Sequence, residues 1–185
     1  MNIANKLTFL RVTLVFVFMA LIWWIPGNME LNLWLALAVF IFASFTDFLD
    51  GYLARKLNLI TNLGKFMDPL ADKCLVTVAM LALVDVGDQW LNFKWPAWIL
   101  AIILLREFAV SGMRLIAVTK NVVVSANIWG KAKTVVQMVM IIVCLCPIQS
   151  YFMGTLGLFL TYLALVLTIV SGVIYIWENK EVFKD

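Results

Sequence analysis

The sequence contains no histidine, only three cysteines and four prolines, and few charged residues. The absence of histidine excludes Ser-His and Cys-His nucleophilic schemes, and also a phospholipase-D-type mechanism that uses a histidine nucleophile. Cys74, Cys144 and Cys146 lie inside apolar runs and lack the spacing of a zinc site. We therefore expect them to be small buried apolar side chains, with no disulfide framework.

The chain is unusually rich in hydrophobic residues and poor in charged ones. Charged residues make up 14% of the 185-residue chain and hydrophobic residues 64%, whereas a soluble domain has about 25% and 45–50%. A soluble monomer of this size could not bury so much apolar surface, so the composition is typical of an integral membrane protein. The chain has no secretory cleavage pattern at its start, so we expect the first apolar run to be retained.

Six apolar runs predict an all-α membrane protein with six transmembrane helices, because each span needs about 20 residues. No Ser/Gly/Pro-rich linker separates them, so residues 1–185 are predicted to form a single membrane domain. The runs are Leu7–Ile25, Leu31–Asp50, Pro69–Val84, Trp95–Val118, Lys133–Cys146 and Tyr151–Trp177.

The basic residues predict that both termini are cytoplasmic. In that orientation every lysine and arginine except Lys94 lies on the cytoplasmic side, as the positive-inside rule expects. The protein would then be multi-pass in the cytoplasmic (inner) membrane, with its active site facing the cytoplasm. A basic layer there suits phosphorylated substrates. Dispersed cations without a soluble nucleic-acid-binding domain argue against nucleic acid as a partner. The outer ends would carry an interfacial aromatic belt of Trp23, Trp24, Trp34, Trp90, Trp95 and Trp98.

Four aspartates interrupt the apolar pattern. Asp47 and Asp50 are three residues apart and Asp68 and Asp72 are four apart, so each pair lies on one helix face. A helical rise of about 1.5 Å per residue brings both pairs to one layer near the cytoplasmic edge. We expect Pro69 in the first turn of the third helix. Clustered carboxylates favour Mg²⁺ or Mn²⁺, with two ions expected. The alternative is that they form ion pairs with Arg55, Lys56, Lys65 and Lys73.

A basic layer accompanies the aspartates. Arg106 and Arg114 are eight residues apart on similar faces of the fourth helix, and Lys131 and Lys133 begin the fifth. Each could be a snorkelling interfacial charge, but together they favour a phosphate pocket, and Glu107 should pair with a neighbouring cation. Gly51 is explained either by close approach of a ligand or by helix–helix contact.

The aspartates belong to a longer pattern that resembles the signature of the CDP-alcohol phosphotransferase family. That pattern is Asp47-x2-Asp50-Gly51-x2-Ala54-Arg55-x8-Gly64-x3-Asp68-x3-Asp72. The chain is also similar to the bacterial phosphatidylglycerophosphate synthase branch. The residues that carry this second likeness are Asn5-x2-Thr8-x2-Arg11, Arg106-Glu107-Phe108-x-Val110-Ser111-Gly112-x-Arg114 and Trp129-Gly130-Lys131-x-Lys133-Thr134-x2-Gln137.

The resemblance implies transfer of the phosphatidyl group of CDP-diacylglycerol to sn-glycerol 3-phosphate, with release of CMP and formation of phosphatidylglycerophosphate in phospholipid biosynthesis. It implies a homodimer as well, and it assigns site residues. The metal ligands are Asp47, Asp50, Asp68 and Asp72, of which Asp72 is also the catalytic base. The nucleotide of CDP-diacylglycerol is met by Gly51 and Arg55, with Thr8 at the mouth, and the acceptor phosphate by Arg106, Arg114, Lys131, Lys133 and Arg11.

Two other functions remain open on the residues alone. The same chemistry could use inositol phosphate, serine or phosphatidylglycerol as acceptor, although four cations argue against serine, which carries no phosphate. Intramembrane carboxylates could also serve a cation carrier or channel. A carrier needs a route to the outer face, and the outer parts of the apolar runs contain no polar ladder.

Overall fold

Helix is the only regular secondary structure in the residues that the computed structural model describes, which are 3–57, 62–120, 128–148 and 150–180. Side chains are described for residues 9–46, 73–117, 120, 128–148 and 150–180. No strand occurs in these segments, so the predicted all-α class is confirmed. The helices are α1 (Ile3–Met19, continued by a π-turn over Ala20–Trp24), α2 (Met29–Leu57), α3 (Asn62–Asp85), α4 (Ala97–Thr119), α5 (Ile128–Leu145) and α6 (Tyr151–Glu178).

In the part of the chain that the structure describes, three helices are long and apolar enough to cross a membrane, over Met29–Thr46, Ile128–Leu145 and Tyr151–Glu178. The described apolar part of the first helix, Phe9–Trp24, is shorter. Helix α4 has the length of a span, but Arg106, Glu107 and Arg114 interrupt its apolar sequence. Length and composition thus support three of the six expected spans and a membrane location.

The helices extend further at their polar ends than the apolar runs do. Helix α5 begins at Ile128 rather than Lys133, and α2 continues to Leu57, past the predicted end at Asp50. Helix α3 begins at Asn62, which places Pro69 inside the helix, so the expectation of a first-turn proline is wrong. Hydropathy measures the apolar length of a helix, while its backbone hydrogen bonds continue through polar residues as well.

Indole hydrogen bonds show how the helices alternate in direction. They join Trp23 near the end of α1 to the end of α3, Trp90 before α4 to the end of α5, and Trp95 to the first half of α6. We call this side of the bundle the tryptophan end. The indole Nε1 atoms donate to Asp85 Oδ2 (2.7 Å), the Cys144 carbonyl (2.8 Å) and Thr161 Oγ1 (3.1 Å), respectively.

The aromatic belt and the cysteines each need a correction. Trp24 and Trp98 are exposed, but Trp90 and Trp95 are 7% and 1% exposed and belong to the core. The polar indole N–H of each can be buried because it has a hydrogen-bond acceptor. Cys144 is buried as expected, whereas Cys74 is exposed on α3. In a membrane protein an apolar side chain such as Cys74 need not be buried inside the protein, because lipid is equally apolar.

Helix α6 packs against its neighbours through small residues. Its buried positions repeat at alternating spacings of three and four residues, and at Gly157 an added Cβ would lie 3.0 Å from Cys144 Sγ of α5. Small residues let helix backbones approach closely. The close approach brings the last turns of α6 to the side of α4. The buried series is Gly154, Gly157, Thr161, Ala164, Thr168, Ser171 and Tyr175.

Candidate active site

Basic side chains from three helices meet at the end of the bundle opposite the tryptophan end, which we call the charged end. The start of α5 and the second half of α4 come together there because consecutive helices run in opposite directions. Helix α3 enters the bundle at this end. The residues concerned are Lys73, Arg106, Arg114, Lys131 and Lys133, and α6 adds Ser171 and Tyr175.

A cavity of about 400 Å³ opens at the charged end, and we call it the charged cavity. Four of the described residues that line it are cations and one, Glu107, is a carboxylate. This excess of positive charge in a partly enclosed space suits a phosphate group. The cations are Lys73, Arg106, Arg114 and Lys131, and hydroxyl groups come from Ser111, Thr134 and Tyr175.

Arg106 is held in the cavity wall by hydrogen bonds from both Nη atoms of its guanidinium. Nη1 donates to Glu107 Oε1 at 3.0 Å and Nη2 donates to Ser171 Oγ at 3.1 Å. Gly172 and Gly130 make room for it, since an added Cβ at these positions would lie 3.0 Å from Arg106 Cγ and 3.5 Å from Nη2. The side chain is 13% exposed, and its orientation is fixed by α6 as much as by α4.

Lys133 lies behind the wall rather than in it. Its ammonium binds the same Glu107 oxygen that accepts from Arg106, and its side chain is only 4% exposed. It lines an adjoining cavity of about 330 Å³ whose other walls are mainly apolar, including Met80 and Leu104. The expected pairing of Glu107 with a cation is confirmed, and Lys133 is not among the described residues that line the charged cavity.

Arg114 reaches the charged cavity from the last turns of α4 and is tied to α6. Its Nε donates to the Tyr175 hydroxyl at 3.0 Å, and its guanidinium carbon lies 5.6 Å from the centre of the Tyr175 ring. Tyr175 is 2% exposed, so it offers a fixed partner to an otherwise exposed side chain. Tyr175, Ser171 and Gly172 were not predicted as site residues from the sequence. The repeat of small residues along α6 was the signal that would have pointed to them.

The structure places the four aspartates by helix only. Asp47 and Asp50 lie in the second half of α2, and Asp68 and Asp72 in the first half of α3. These parts of α2 and α3 lie towards the charged end, but the aspartate side chains are outside the described residues. Among the described side chains, no group of three or more His, Cys, Asp or Glu residues could hold a metal ion.

The other predicted site residues lie partly outside the description. The side chains of Thr8, Gly51 and Arg55 are not among those described. Arg11 is described and is 1% exposed on α1. It is not one of the described residues that line the charged cavity.

A model of the CDP-alcohol phosphatidyltransferase family matches residues 1–170, a range that contains both aspartate pairs and all the cations of the charged cavity. The chain belongs to this family. The resemblance inferred from the aspartate signature is therefore confirmed.

Curated relatives extend along nearly the whole chain. A Bacillus subtilis protein named CDP-diacylglycerol–glycerol-3-phosphate 3-phosphatidyltransferase is 40% identical over 200 residues, covering 99% of this chain and 97% of the relative. A Rickettsia bellii protein of the same name is 34% identical over 185 residues, covering 98% and 97%. A Mycobacterium tuberculosis protein named probable phosphatidylglycerophosphate synthase is 36% identical over 175 residues, covering 95% and 80%.

Proposed function

We propose that this chain transfers the phosphatidyl group of CDP-diacylglycerol to sn-glycerol 3-phosphate, releasing CMP and forming phosphatidylglycerophosphate. The observation that carries the proposal is the charged cavity, where Arg106, Arg114 and Lys131 surround a space large enough for a small phosphorylated acceptor. The names of the full-length relatives support the same reaction.

The four aspartates are proposed to hold two Mg²⁺ or Mn²⁺ ions. The donor set fits such ions, because carboxylate oxygens are the ligands that Mg²⁺ and Mn²⁺ prefer. The backbone fits as well: α2 and α3 are continuous helices through both pairs, which puts Asp47 with Asp50, and Asp68 with Asp72, on single helix faces. Bound there, the ions would neutralise the charge of the pyrophosphate and of the departing CMP.

The reaction proposed for this site is a displacement at the phosphorus that carries diacylglycerol. The hydroxyl oxygen of the acceptor forms a bond to that phosphorus, and the bond between the phosphorus and the CMP oxygen breaks. Asp72 takes the hydroxyl proton, and the electron pair of the broken bond leaves with CMP. Positioning and electrostatic stabilisation supply most of the rate in such transfers, which is the role proposed for the cations.

The two substrates are proposed to use different sets of residues. Gly51, Arg55 and Thr8 would hold the nucleotide of CDP-diacylglycerol, and Gly51 would allow it to approach α2. Arg106 and Arg114 would hold the acceptor phosphate, because guanidinium groups bind phosphate through paired hydrogen bonds. Lys131 lines the charged cavity with them and belongs to the same acceptor set. The resemblance adds Lys133 and Arg11 to this set, although neither is among the described residues that line the charged cavity.

The membrane arrangement belongs to the proposal too. We place six transmembrane helices in the cytoplasmic membrane, with both termini and the charged end facing the cytoplasm. The distribution of basic residues supports this orientation, since Lys94 alone among the lysines and arginines is predicted on the outer side. The acyl chains would then stay in lipid while only the headgroups enter the charged end. A homodimer is proposed on the family resemblance.

An acceptor panel tests the proposed reaction. Purified protein in detergent or liposomes would be given CDP-diacylglycerol with glycerol 3-phosphate, inositol phosphate, serine or phosphatidylglycerol, and CMP release would be measured. We expect turnover with glycerol 3-phosphate at a kcat/KM at least tenfold above the other acceptors. A preference for another acceptor would overturn the choice of substrate. Metal flux through liposomes without lipid turnover would instead support a carrier.

A further inference from the structure

One cation of the charged cavity, Lys73, has no role in the proposed function. Lys73 follows Asp72 directly on α3, and its ammonium donates to Ser111 Oγ on α4. Both residues line the charged cavity together with Arg114 and Lys131. We propose that Lys73 and Ser111 form the α3–α4 side of the acceptor-phosphate site and make the enzyme selective for phosphorylated acceptors. The inference rests on the proposed function.

The hydrogen bond between the two residues leaves both able to bind an anion. A lysine ammonium has three N–H donors, and Ser111 occupies one of those of Lys73. A hydroxyl that accepts a hydrogen bond keeps its own O–H as a donor. Lys73 and Ser111 can therefore donate to phosphate oxygens from one wall of the cavity, while Arg114 and Lys131 donate from the walls formed by α4 and α5.

The charges in the cavity single out Lys73 from the buried cations. Lys133 is 4% exposed and has its charge matched by Glu107, and both Nη atoms of Arg106 already have acceptors. Lys73 is half-buried and is bonded to a neutral hydroxyl, so its charge is not cancelled by that partner. A phosphate monoester carries a charge of about −1.5 to −2 at neutral pH. Lys73, Arg114 and Lys131 together supply more than enough positive charge to neutralise it.

The position of Lys73 also suits the shape of the acceptor. Consecutive Cα atoms are about 3.8 Å apart, so Asp72 and Lys73 lie in the same turn of α3. The acceptor carries its reacting hydroxyl at one end and its phosphate at the other. Asp72, proposed to take the proton, and Lys73, proposed to bind the phosphate, would contact these two ends from the same turn of helix. An acceptor without phosphate would lose the second contact.

The test compares Lys73→Gln and Ser111→Ala with Lys73→Arg, which keeps the charge, and with Lys94→Gln, which makes the same change at an exposed lysine of the tryptophan end. Apparent KM values for glycerol 3-phosphate and CDP-diacylglycerol would be measured by CMP release. Inhibition by inorganic phosphate, competing with glycerol 3-phosphate, would be measured in parallel. Elution as a single peak and thermal stability in detergent would show that each variant folds.

We expect Lys73→Gln to raise the KM for glycerol 3-phosphate at least tenfold and to weaken phosphate inhibition in parallel, with the KM for CDP-diacylglycerol changed less than twofold. Ser111→Ala should show a smaller effect of the same kind, and Lys73→Arg should stay within about threefold of wild type. Lys94→Gln should match wild type.

Either of two results would overturn the inference: equal changes in both KM values, or a fall in kcat alone with phosphate inhibition unchanged. If Lys73→Gln does not fold, the Lys73→Arg and Ser111→Ala data decide by the same criteria. Wild-type turnover with glycerol 3-phosphate separates this inference from the proposed function. If wild type uses glycerol 3-phosphate and Lys73→Gln leaves its KM unchanged, the role of Lys73 alone is refuted.

Discussion

Arg114 and Tyr175 are joined by two contacts at once: a hydrogen bond of 3.0 Å from Nε to the hydroxyl, and a guanidinium placed 5.6 Å from the ring centre. Tyr175 is buried among Val110, Met113 and Ala117, so the exposed arginine is anchored to a rigid group. The Nη atoms of Arg114 remain available to a ligand in the charged cavity. The pair links the end of α4 to the end of α6 and sets where a phosphate could bind.

Tyr175→Phe isolates the hydrogen bond, because it keeps the ring and the packing around it. A hydrogen bond to a charged group is worth about 1.5–3 kcal/mol, and exposure of the arginine reduces this. We expect the KM for glycerol 3-phosphate to rise roughly threefold to thirtyfold, with thermal stability and the KM for CDP-diacylglycerol nearly unchanged. Tyr162→Phe on the same helix, where the tyrosine is 45% exposed, is the matched control. An unchanged acceptor KM in Tyr175→Phe would contradict the anchoring role.

Glu107→Gln tests the role of Glu107 as the carboxylate shared by Arg106 and Lys133. The substitution leaves the ammonium of Lys133, whose side chain is 4% exposed, without its carboxylate. Removing one partner of a fully buried ion pair costs about 3–5 kcal/mol, and the 22% exposure of Glu107 lowers the expected loss of unfolding free energy to about 1–3 kcal/mol. The measurement is thermal or denaturant unfolding in a fixed detergent.

The double variant Glu107→Gln with Lys133→Met is the control for that prediction. It removes both charges and should recover part of the stability lost in Glu107→Gln, because no buried ammonium is left unpaired. Additive destabilisation of the two single changes would show that Glu107 does not act through Lys133.

Gly172→Ala tests the space beside Arg106. The added Cβ would lie 3.0 Å from Arg106 Cγ, so the arginine side chain must shift by a few tenths of an ångström, which we expect to disturb its hydrogen bonds to Glu107 and Ser171. We expect at least a tenfold loss of kcat/KM for glycerol 3-phosphate, measured by CMP release. Gly112→Ala is the matched control, since nothing lies within 4 Å of its added Cβ. It should keep activity within twofold and gain up to about 1 kcal/mol of helix stability. Equal activity in the two variants would contradict the packing role of Gly172.

Removal of single carboxylates tests the proposed metal site. Asp47→Asn, Asp50→Asn, Asp68→Asn and Asp72→Asn should each reduce CMP release to near background while the protein still inserts and purifies normally. Chelation should abolish wild-type activity, and Mg²⁺ or Mn²⁺ should restore it, because the ions are proposed to neutralise the pyrophosphate and the leaving group. Asp88→Asn, at the tryptophan end, serves as the control and should leave activity unchanged. Full wild-type activity in chelator would refute the metal assignment.

Much of the fold followed from patterns that are local in the chain. Apolar runs predicted the six helices because the composition of each segment reflects whether lipid or water surrounds it. The aspartate spacing identified the family. The boundaries were less accurate. Helix α5 begins before Lys133 and Pro69 lies inside α3, since hydrogen bonding continues where hydropathy falls. The tryptophans show the same limit, because burial of Trp95 depends on Thr161 of a helix far along the chain.

The sequence by itself determined the all-helical class, the family and the presence of cations at one level of the bundle, because composition and short spacings carry this information. Only the tertiary structure decided how those cations divide. Arg114 lines the charged cavity and is held by Tyr175, while Lys133 is buried in an ion pair with Glu107. The spacing of residues along the sequence does not distinguish these two environments. The reason is physical: the effective charge of a side chain depends on its burial and on partners from other helices, and packing of α4, α5 and α6 sets both.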